Sequence, residues 1–333
     1  MINPPYHAAE SRYSDMKFAR CGKSGLLLPK ISLGLWHNFG DVDTLSNSRD
    51  ILHYAFDHGI TCFDLANNYG PSYGSAEETF GAIMKKSFMP YRDEMVITTK
   101  AGYDMWPGPY GNWGSRKYLF ASINQSLRRM NLDYVDIFYS HRYDPETPVE
   151  ETLQALVDIV RNGKALYIGI SRWPFKQSEY AYAYLKQRDV PCLIYQGRYN
   201  MIDRGVETSG ILDQAYENGV GFTAFSPLEQ GILTDRYLNG IPEGSRASKG
   251  NFLKAENITP ELVARLNSLN AIALERGQTL AGMSLSWLLK DNKVTSVIVG
   301  SSSVRQLSQS LRSLEKPDFT EDELDAIDRI LLI

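Results

Sequence analysis

The sequence predicts a single (β/α)₈ barrel of the TIM type, a fold of the α/β class. Short runs of β-branched and apolar residues alternate eight times with amphipathic helical stretches, as expected of a barrel built from β-α units. The 333 residues suit one large α/β barrel or two smaller domains. No long linker or change of composition divides the chain, which favours the single barrel. The predicted strands end near Trp36, Asn67, Lys100, His141, Ser171, Gln196, Ser226 and Gly300.

The segments before the first β-α unit are predicted to form a tail and a hairpin. Residues 1–15 are polar, contain proline and lack periodicity, which indicates a loose N-terminal tail. Residues 16–28 predict a β-hairpin with its turn at residues 22–25. We expect this hairpin to cap the barrel floor, within one barrel domain that covers residues 16–333.

The helices are predicted from apolar periodicity and from the Gly, Asn or Asp residues that follow most of them. Eight follow the eight barrel strands in turn, at residues 44–58, 76–86, 116–130, 149–161, 175–188, 210–218, 280–290 and 304–314. Two extra helices are predicted, at 260–276 after the seventh barrel strand and at 321–332 at the C-terminus. The Gly- and Ser-rich stretch 233–257 also follows the seventh strand, and long loops in compact chains are usually functional.

Composition excludes several classes of function. The 35 Lys and Arg residues against 39 Asp and Glu residues give a net charge of -4, so the chain lacks the basic surface of a nucleic-acid-binding protein. No apolar run approaches the roughly 18 residues of a membrane span. The three widely spaced cysteines suit a reducing cytoplasm. The five histidines are scattered, which predicts no metal site.

Three successive predicted strands each bring a reactive side chain to the same end of the barrel. Asp64 lies inside the apolar run 61–69, where an unpaired carboxylate would carry a large desolvation cost. The next two strands end in Lys100 and His141, and Tyr69 follows Asp64 closely. Because barrel enzymes work at the carboxyl ends of their strands, we expect these side chains to converge. Each alone is more often structural than catalytic, but four together favour a catalytic site.

These four side chains predict proton transfer to a carbonyl oxygen. Asp64 is expected to keep Lys100 charged, and the ammonium is expected to lower the pKa of Tyr69 below its usual value of about 10. Tyr69 is then a general acid near neutral pH. Hydride addition to an aldehyde or ketone needs such an acid, with a nicotinamide as the hydride source.

The order Asp64, Tyr69, Lys100 and His141, with Phe-Asp-Leu-Ala-Asn-Asn-Tyr-Gly around the first pair, resembles the catalytic tetrad of the aldo-keto reductase superfamily. The resemblance runs from about residue 13 to the end of the chain. Segments 32–40, 99–111 and 140–142 resemble most a bacterial branch that reduces glyceraldehyde 3-phosphate, and less closely the potassium channel β subunits. The resemblance implies an NADPH-dependent reductase of short aldehydes such as L-glyceraldehyde 3-phosphate or methylglyoxal, and a homo-oligomer, tetrameric or octameric.

The resemblance also implies a role for each residue of the tetrad. Tyr69 protonates the carbonyl oxygen, while Lys100 and Asp64 tune its acidity. His141 orients the substrate. Arg142, directly after His141, is expected to meet a phosphorylated substrate, because phosphate recognition favours the arginine fork. Arg172 is expected to do the same, and Trp36 is expected to wall an apolar slot with Tyr103, Trp106 and Trp113.

For the cofactor, the resemblance implies contacts along the second half of the barrel. The implied nicotinamide contacts are Ser140, Ser171, Gln196 and Phe225. The implied phosphate contacts are Ser226, Pro227, Leu228, Gln230, Gly231, Arg236 and Arg246. The implied adenosine contacts are Gly300, Ser302, Gln306, Gln309 and Ser310; relatives commonly carry Glu and Asn at the last two positions, and Trp or Tyr where this chain has Phe225.

The two arginines of this set favour NADPH over NADH. Arg236 and Arg246 lie in a loop with few acidic partners, and guanidinium forks suit a phosphate dianion. The alternative interpretation is a solvated basic face of the loop, which would contribute little to binding.

Two other classes of function stay open. A barrel with a lysine at a strand end also fits a lyase that forms a Schiff base through Lys100. The second alternative is an NADPH-binding regulatory subunit of a channel-like partner. Two further motifs are set aside: the Tyr182 and Lys186 pair lacks a Gly-rich dinucleotide turn, and Gly-Lys-Ser at residues 22–24 lacks the leading glycine of a phosphate-binding loop.

Overall fold

The computed structural model describes residues 5–243, 245–250 and 253–332. Its strands are β1 (Phe18–Arg20), β2 (Leu27–Pro29), β3 (Ile31–Gly34), β4 (Cys62–Asp64), β5 (Val96–Ala101), β6 (Val135–Ser140), β7 (Ala165–Ser171), β8 (Cys192–Arg198), β9 (Gly221–Phe225) and β10 (Ser296–Gly300). Strands β3 to β10 form a closed parallel barrel in the order β10-β3-β4-β5-β6-β7-β8-β9. The barrel closes where β10 pairs with β3, with Val297 opposite Ile31. The predicted (β/α)₈ fold is confirmed.

The helices are α1 (Leu45–Asp57), α2 (Ser75–Ile83), α3 (Arg116–Met130), α4 (Val149–Arg161), α5 (Phe175–Lys186), α6 (Gly205–Thr208), α7 (Ile211–Glu217), α8 (Arg246–Lys249), α9 (Pro260–Glu275), α10 (Leu280–Leu288), α11 (Val304–Leu311) and α12 (Glu321–Leu331). A π-helical turn, Met84–Phe88, continues α2, and 3₁₀ turns cover Met89–Glu94, Glu229–Gly231, Asp235–Tyr237, Ala255–Asn257 and Arg312–Glu315. Helices α9 and α12 are the two extra helices that the sequence predicted. Within the described ranges, no helix is both long and apolar enough to cross a membrane.

Local capping signals explain why several predicted helix ends agree with the structure. Helix α3 begins after Ser115, whose side chain accepts a hydrogen bond from the backbone N–H of Tyr118. It ends at Asn131, which adopts a left-handed conformation with φ of 56°. Helix α11 ends earlier than predicted, because the chain tightens there into the 3₁₀ turn Arg312–Glu315.

Strand β4 is shorter than the run 61–69 from which it was predicted. The ladder ends at Asp64, yet the backbone continues beside β5, because the N–H of Leu65 donates to the carbonyl of Thr98 at 3.0 Å. The N–H of Asn67 likewise donates to the carbonyl of Lys100 at 3.0 Å. The chain then turns, with the N–H of Tyr69 bonded to the carbonyl of Ala66. This turn places Tyr69 at the mouth of the barrel rather than in its wall.

The N-terminal hairpin closes the opposite end of the barrel, as predicted. Strands β1 and β2 pair antiparallel, and the N–H of Cys21 donates to the carbonyl of Leu26 at 2.8 Å across the turn. Cys21 and Leu28 share a buried cluster with Cys62, at the first position of β4, and with other residues near the starts of barrel strands. A side chain at Gly22 would have its Cβ 2.1 Å from the carbonyl oxygen of Gly219. Only glycine fits this close approach between hairpin and barrel.

The described part of the N-terminal tail is docked on the barrel, which differs from the loose tail that the sequence predicted. The ring of Tyr6 stacks on His53 with 3.9 Å between ring centroids, and its hydroxyl donates to Asp57 at 2.7 Å. Farther along, Arg12 forms an ion pair with Glu94 at 2.6 Å. The polar sequence of the tail gave no period from which this docking could be predicted, because each contact is made by a single side chain.

Candidate active site

Strand β5 places its alternate side chains on opposite faces, and this alternation builds the centre of the site. Thr98 and Lys100 are two residues apart, so both point to the barrel interior. Thr99, between them, faces outward and donates a hydrogen bond from its hydroxyl to Glu77 of α2 at 2.5 Å. Asp64 of β4 is the register partner of Thr98. The interior face therefore brings Asp64, Thr98 and Lys100 together.

Asp64 is a buried carboxylate whose two oxygens accept three hydrogen bonds. Its Oδ1 accepts from the hydroxyl of Thr98 and from the side-chain amide of Gln196, both at 2.9 Å. Its Oδ2 accepts from Nζ of Lys100 at 2.7 Å. Asp64 is only 3% exposed, so these donors replace the hydration that the carboxylate loses on folding.

Lys100 is fully buried, and its ammonium group is surrounded by acceptors. Besides Asp64, Nζ donates to the backbone carbonyl of Leu65 at 2.7 Å and to the hydroxyl of Tyr69 at 3.4 Å. Burial lowers the pKa of Lys100 below its usual value, and the charge of Asp64 offsets only part of that effect. Nζ donates to all three acceptors as an ammonium paired with Asp64, and an ammonium has no lone pair with which to attack a carbonyl carbon. This geometry argues against the lyase alternative.

The pKa predicted for Tyr69 is wrong in direction. The sequence predicted that the Lys100 ammonium would lower it, but burial of the phenol raises the pKa of Tyr69 well above its usual value, and the charge of Asp64 adds to the rise. The ammonium is 3.4 Å from the hydroxyl, but burial disfavours the charged phenolate more strongly, so burial sets the direction of the shift. Tyr69 is therefore protonated at neutral pH, which is the form that a proton donor requires.

His141 lies directly after β6 with its ring against two tyrosine rings. The centroid of Tyr69 is 5.9 Å away and that of Tyr103 is 4.7 Å away, both with edge-to-face geometry. Burial lowers the pKa of His141 well below its usual value, helped by the charges of Lys100, Arg172 and Arg142. The imidazole is therefore neutral near pH 7, so one ring nitrogen can donate and the other can accept.

The residues that were assigned to the nicotinamide line the next strands of the barrel. Ser171, the last residue of β7, is 1% exposed, and its hydroxyl has no hydrogen-bond partner among the residues that the structure describes. Ser140 accepts from the indole N–H of Trp173 at 3.1 Å and donates to the carbonyl of Arg142 at 3.2 Å. The amide nitrogen of Gln196 is already bonded to Asp64. The hydroxyl of Ser171 is thus a buried polar atom that no described residue meets.

Phe225 is the last residue of β9, and the loop after it has an unusual backbone and carries Ser226, Pro227, Leu228, Gln230 and Gly231. Four of its residues have positive φ, namely Ser226, Glu229, Gln230 and Gly231. Glu229 anchors the loop, because its carboxylate accepts a hydrogen bond from Asn200 at 2.6 Å and pairs with Arg198. Asn200 also donates to the carbonyl of Ser226 at 3.1 Å. The loop after β8 thus holds the shape of the loop after β9.

The two arginines assigned to phosphate follow this loop. Arg236 lies in the 3₁₀ turn Asp235–Tyr237 and is exposed, and its guanidinium pairs with no carboxylate in the described ranges. Arg246 begins α8, but its side chain lies outside the described part of the structure. The assignment of Arg236 to phosphate is compatible with this geometry, and that of Arg246 stays a prediction.

The residues assigned to adenosine follow β10 and enter α11. Gln306 accepts hydrogen bonds from the N–H and the hydroxyl of Ser302, both at 2.9 Å, so the two residues form one local turn after Gly300. Ser310 donates to the carbonyl of Gln306 at 3.1 Å, which turns its hydroxyl back to its own helix. Gln309 is exposed. Of the residues assigned to adenosine, Ser302 and Gln306 thus hold each other in place.

A groove opens beside Tyr69. Trp36 follows β3, and its ring is tilted against that of His37, with 4.0 Å between the ring centroids. The groove is lined by Trp36, His37, Asn68, Gly70, Pro71, Ser72 and Tyr73. Trp36 therefore lies near the predicted general acid, as its assignment to substrate requires. Arg142, the other predicted substrate contact, lies beside His141.

A family model matches residues 30–332 of the chain, and its description is "Aldo/keto reductase family". The match covers the whole barrel. The chain belongs to the aldo/keto reductase family. It is 55% identical over 328 residues to the L-glyceraldehyde 3-phosphate reductase of Escherichia coli O157:H7, an alignment that covers 97% of this chain and 94% of that protein. It is also 33% identical over 323 residues to a probable voltage-gated potassium channel subunit beta of Arabidopsis thaliana, which covers 95% of this chain and 97% of that protein.

Membership of the aldo/keto reductase family confirms the class of enzyme that the sequence predicted. The protein is an oxidoreductase that acts on a carbonyl or CH–OH group of a small molecule. Enzymes of this family use NAD(P)H, and the unpartnered, buried hydroxyl of Ser171 offers a hydrogen bond of the kind that a carboxamide needs.

Sequence reasoning missed two residues that shape the reductase site. Thr98 donates to Asp64, and its position two residues before Lys100 in one strand was a usable signal, because such residues share a face. Glu229 lies among the residues assigned to the phosphates but was given no role of its own. Its contacts to Asn200 and Arg198 come from a different loop, so no pattern in the chain could have shown them.

We expect Lys100→Met to lower the free energy of unfolding by roughly 3 kcal/mol, because it leaves the Asp64 carboxylate buried without its cation. Asp64→Asn combined with Lys100→Met removes both charges and is expected to recover much of that loss. Urea denaturation of the two single variants and the double variant measures the coupling. If the double variant is no more stable than Lys100→Met, the loss in Lys100→Met does not come from the buried charge of Asp64.

We expect His141 to make the protein lose stability as the pH falls below about 6.5. The folded protein holds this imidazole neutral, since its pKa is well below the usual value, whereas the unfolded chain takes up a proton near pH 6.5. Below this pH the unfolded state binds more protons than the folded state. The free energy of unfolding therefore falls by up to about 1.4 kcal/mol for each pH unit. Urea denaturation from pH 8 to 5 should give a steeper loss for the native chain than for His141→Asn. If the native chain and His141→Asn lose stability equally as the pH falls, the prediction that His141 is buried in its neutral form is wrong.

Proposed function

We propose that this protein is an NADPH-dependent reductase of short aldehydes that uses Tyr69 as the general acid. The observation that carries the proposal is the contact of Nζ of Lys100 with both Asp64, at 2.7 Å, and the hydroxyl of Tyr69, at 3.4 Å. These buried hydrogen bonds connect the carboxylate of Asp64, through the ammonium of Lys100, to the phenol of Tyr69 at the mouth of the barrel. The same face of a TIM barrel carries the active site in barrel enzymes generally.

Tyr69 gives its proton to the carbonyl oxygen of the substrate. Its raised pKa keeps the phenol protonated before reaction. When the proton leaves, the nearby ammonium of Lys100 stabilises the phenolate, and Lys100 itself stays charged because Asp64 accepts from it. The pair acts through preorganised charge, which needs no rearrangement at the moment of transfer.

His141 orients the substrate carbonyl toward Tyr69. Its neutral imidazole can donate a hydrogen bond to the carbonyl oxygen without competing as a stronger acid. The rings of Tyr69 and Tyr103 pack against it with edge-to-face geometry, which restricts its orientation. A substrate oxygen that lies between Tyr69 and His141 meets two donors at once.

The cofactor is proposed to lie across the strand ends from β6 to β10. The bound nicotinamide supplies the hydride. Ser140, Ser171 and Gln196 hold its carboxamide, while Phe225 packs against the ring. The anchored loop 226–231 covers the phosphates, and Arg236 pairs with the 2′-phosphate, which distinguishes NADPH from NADH.

The substrate proposal rests on the relatives. The two relatives from Escherichia coli, 55% and 54% identical, are both named L-glyceraldehyde 3-phosphate reductase, so this triose phosphate is the first substrate to test. Methylglyoxal, another short aldehyde, is the second. A cytoplasmic location and a homo-oligomeric assembly complete the proposal.

Tyr69→Phe is expected to reduce kcat by roughly 10²-fold to 10⁴-fold, because it removes the proton donor and leaves the ring in place. NADPH oxidation is followed by absorbance with glyceraldehyde 3-phosphate and with methylglyoxal. Tyr216→Phe, on the exposed face of α7, is the control for loss of a tyrosine hydroxyl. We expect that control to keep full activity.

The outcomes of the Tyr69→Phe experiment separate the proposals. Turnover that survives in Tyr69→Phe would refute the general-acid assignment. Tight NADPH binding by the native chain without turnover of either aldehyde would instead favour the regulatory-subunit alternative, as in a relative named for a potassium channel.

Arg236→Gln is expected to raise the Kd for NADPH by about tenfold to a hundredfold, because it removes a charged hydrogen bond to the 2′-phosphate. The Kd for NADH should change little. Arg128→Gln, on the exposed side of α3, makes the same change of charge away from the site. Fluorescence titration of both cofactors measures the ratio, and equal losses for NADPH and NADH would remove Arg236 from 2′-phosphate recognition.

A further inference from the structure

Two guanidinium groups near His141 have no carboxylate partner. Arg142 follows His141 directly, and Arg172 follows the last residue of β7. Within the described ranges neither side chain forms an ion pair, yet the charges of both help to lower the pKa of His141. Two cations beside a neutral imidazole at the barrel mouth are suited to an anion that arrives from solution.

Arg142 is held in one position by groups that carry no charge. Its Nε donates to the carbonyl of Gly102 at 2.7 Å, and its Nη2 donates to the side-chain oxygen of Asn112 at 2.8 Å. The guanidinium lies 3.6 Å from the ring centroid of Trp113 and 4.3 Å from that of Tyr103. All four partners are neutral. The side chain is therefore fixed before any ligand binds, and Nη1 has no hydrogen-bond partner in the part of the chain that is described.

Arg172 contacts Tyr103 as well. Its Nη1 donates to the hydroxyl of Tyr103 at 3.0 Å. Arg172 has a left-handed backbone with φ of 55°, a conformation that non-glycine residues adopt rarely and that is concentrated at functional sites. Tyr103 is itself held, because the hydroxyl of Tyr118 donates to its backbone carbonyl at 2.5 Å. Tyr103 thus joins Arg142, Arg172 and His141 in one cluster.

We propose that Arg142, Arg172 and Tyr103 form an anion subsite that binds the phosphate group of the substrate. This inference rests on the proposed reductase function and identifies the residues that select a phosphorylated aldehyde. The ring of Tyr103 lies 4.7 Å from that of His141. One short molecule can therefore place its anionic group at this subsite and its carbonyl group at His141. Guanidinium forks meet phosphate oxygens with two parallel hydrogen bonds, which favours a phosphate dianion over a neutral hydroxyl.

The opposite side of the mouth has a different chemistry, which gives the substrate its direction. The groove beside Tyr69 is lined by Trp36, Tyr73 and other residues without a Lys, Arg, Asp or Glu side chain. The charged end of the substrate is therefore drawn to the side of Arg142 and Arg172. This orientation leaves the carbonyl between Tyr69 and His141.

The first experiment compares glyceraldehyde 3-phosphate with unphosphorylated glyceraldehyde at saturating NADPH. In Arg172→Gln and in Arg142→Gln we expect the ratio of the two kcat/KM values to fall by tenfold to a hundredfold, mainly through KM of the phosphorylated aldehyde. Tyr103→Phe, which keeps the ring and removes the hydroxyl that Arg172 contacts, should reduce the ratio by a smaller factor. Arg128→Gln on α3 controls for the change in net charge and should leave the ratio unchanged.

A second experiment needs no turnover. Inorganic phosphate is titrated by calorimetry into the protein saturated with NADP⁺, so that sites for the cofactor's own phosphates are filled. We expect binding to the native chain and to Arg128→Gln, and binding at least tenfold weaker in Arg172→Gln. Phosphate binding without turnover of any aldehyde would support the subsite while refuting the proposed reductase function.

Three results would overturn the subsite. A ratio that does not change in either arginine variant would remove both residues from phosphate recognition. A KM for NADPH that rises equally with both aldehydes in Arg172→Gln would place that guanidinium on the cofactor instead. A stronger preference of the native chain for the carboxylate aldehyde succinic semialdehyde than for glyceraldehyde 3-phosphate would contradict the choice of phosphate.

Discussion

The buried pair of Asp64 and Lys100 is the interaction on which the rest of the site depends. A carboxylate and an ammonium that are both removed from water are stable only when hydrogen bonds complete their coordination. Here Thr98 and Gln196 complete the carboxylate, and the carbonyl of Leu65 helps to complete the ammonium. The pair therefore requires β4, β5 and β8 to keep one register, and it couples the barrel wall to the chemistry at its mouth.

The bond from Gln196 to Asp64 shows how the closed barrel serves the site. The two residues are separated by 132 positions in the chain, yet the amide and the carboxylate lie 2.9 Å apart because both point into the barrel interior. An open sheet would not bring β8 back to β4. Closure adds the amide of Gln196 to the donors that β5 provides, and Lys100 directs its remaining hydrogen toward Tyr69.

Burial, more than any single charge, sets the protonation states at the mouth. It raises the pKa of Tyr69 and lowers the pKa of His141, so both groups are neutral at physiological pH. A neutral phenol and a neutral imidazole can both donate to one carbonyl oxygen. The guanidiniums of Arg142 and Arg172, which form no ion pair within the described ranges, then supply positive charge beside these two neutral groups.

The sequence by itself determined the β-α alternation, the hairpin and the placement of Asp64, Tyr69, Lys100 and His141 at strand ends, because periodicity and capping are local properties of the chain. It also led to the family, through the residues around Asp64 and Tyr69. The tertiary structure alone decided the direction of the pKa of Tyr69, since the field of Lys100 competes with burial and with Asp64 at distances that the sequence does not encode. It likewise decided the docking of Tyr6 on His53, the anchoring of Glu229 by Asn200 and the cluster around Tyr103, because each joins side chains from separate loops.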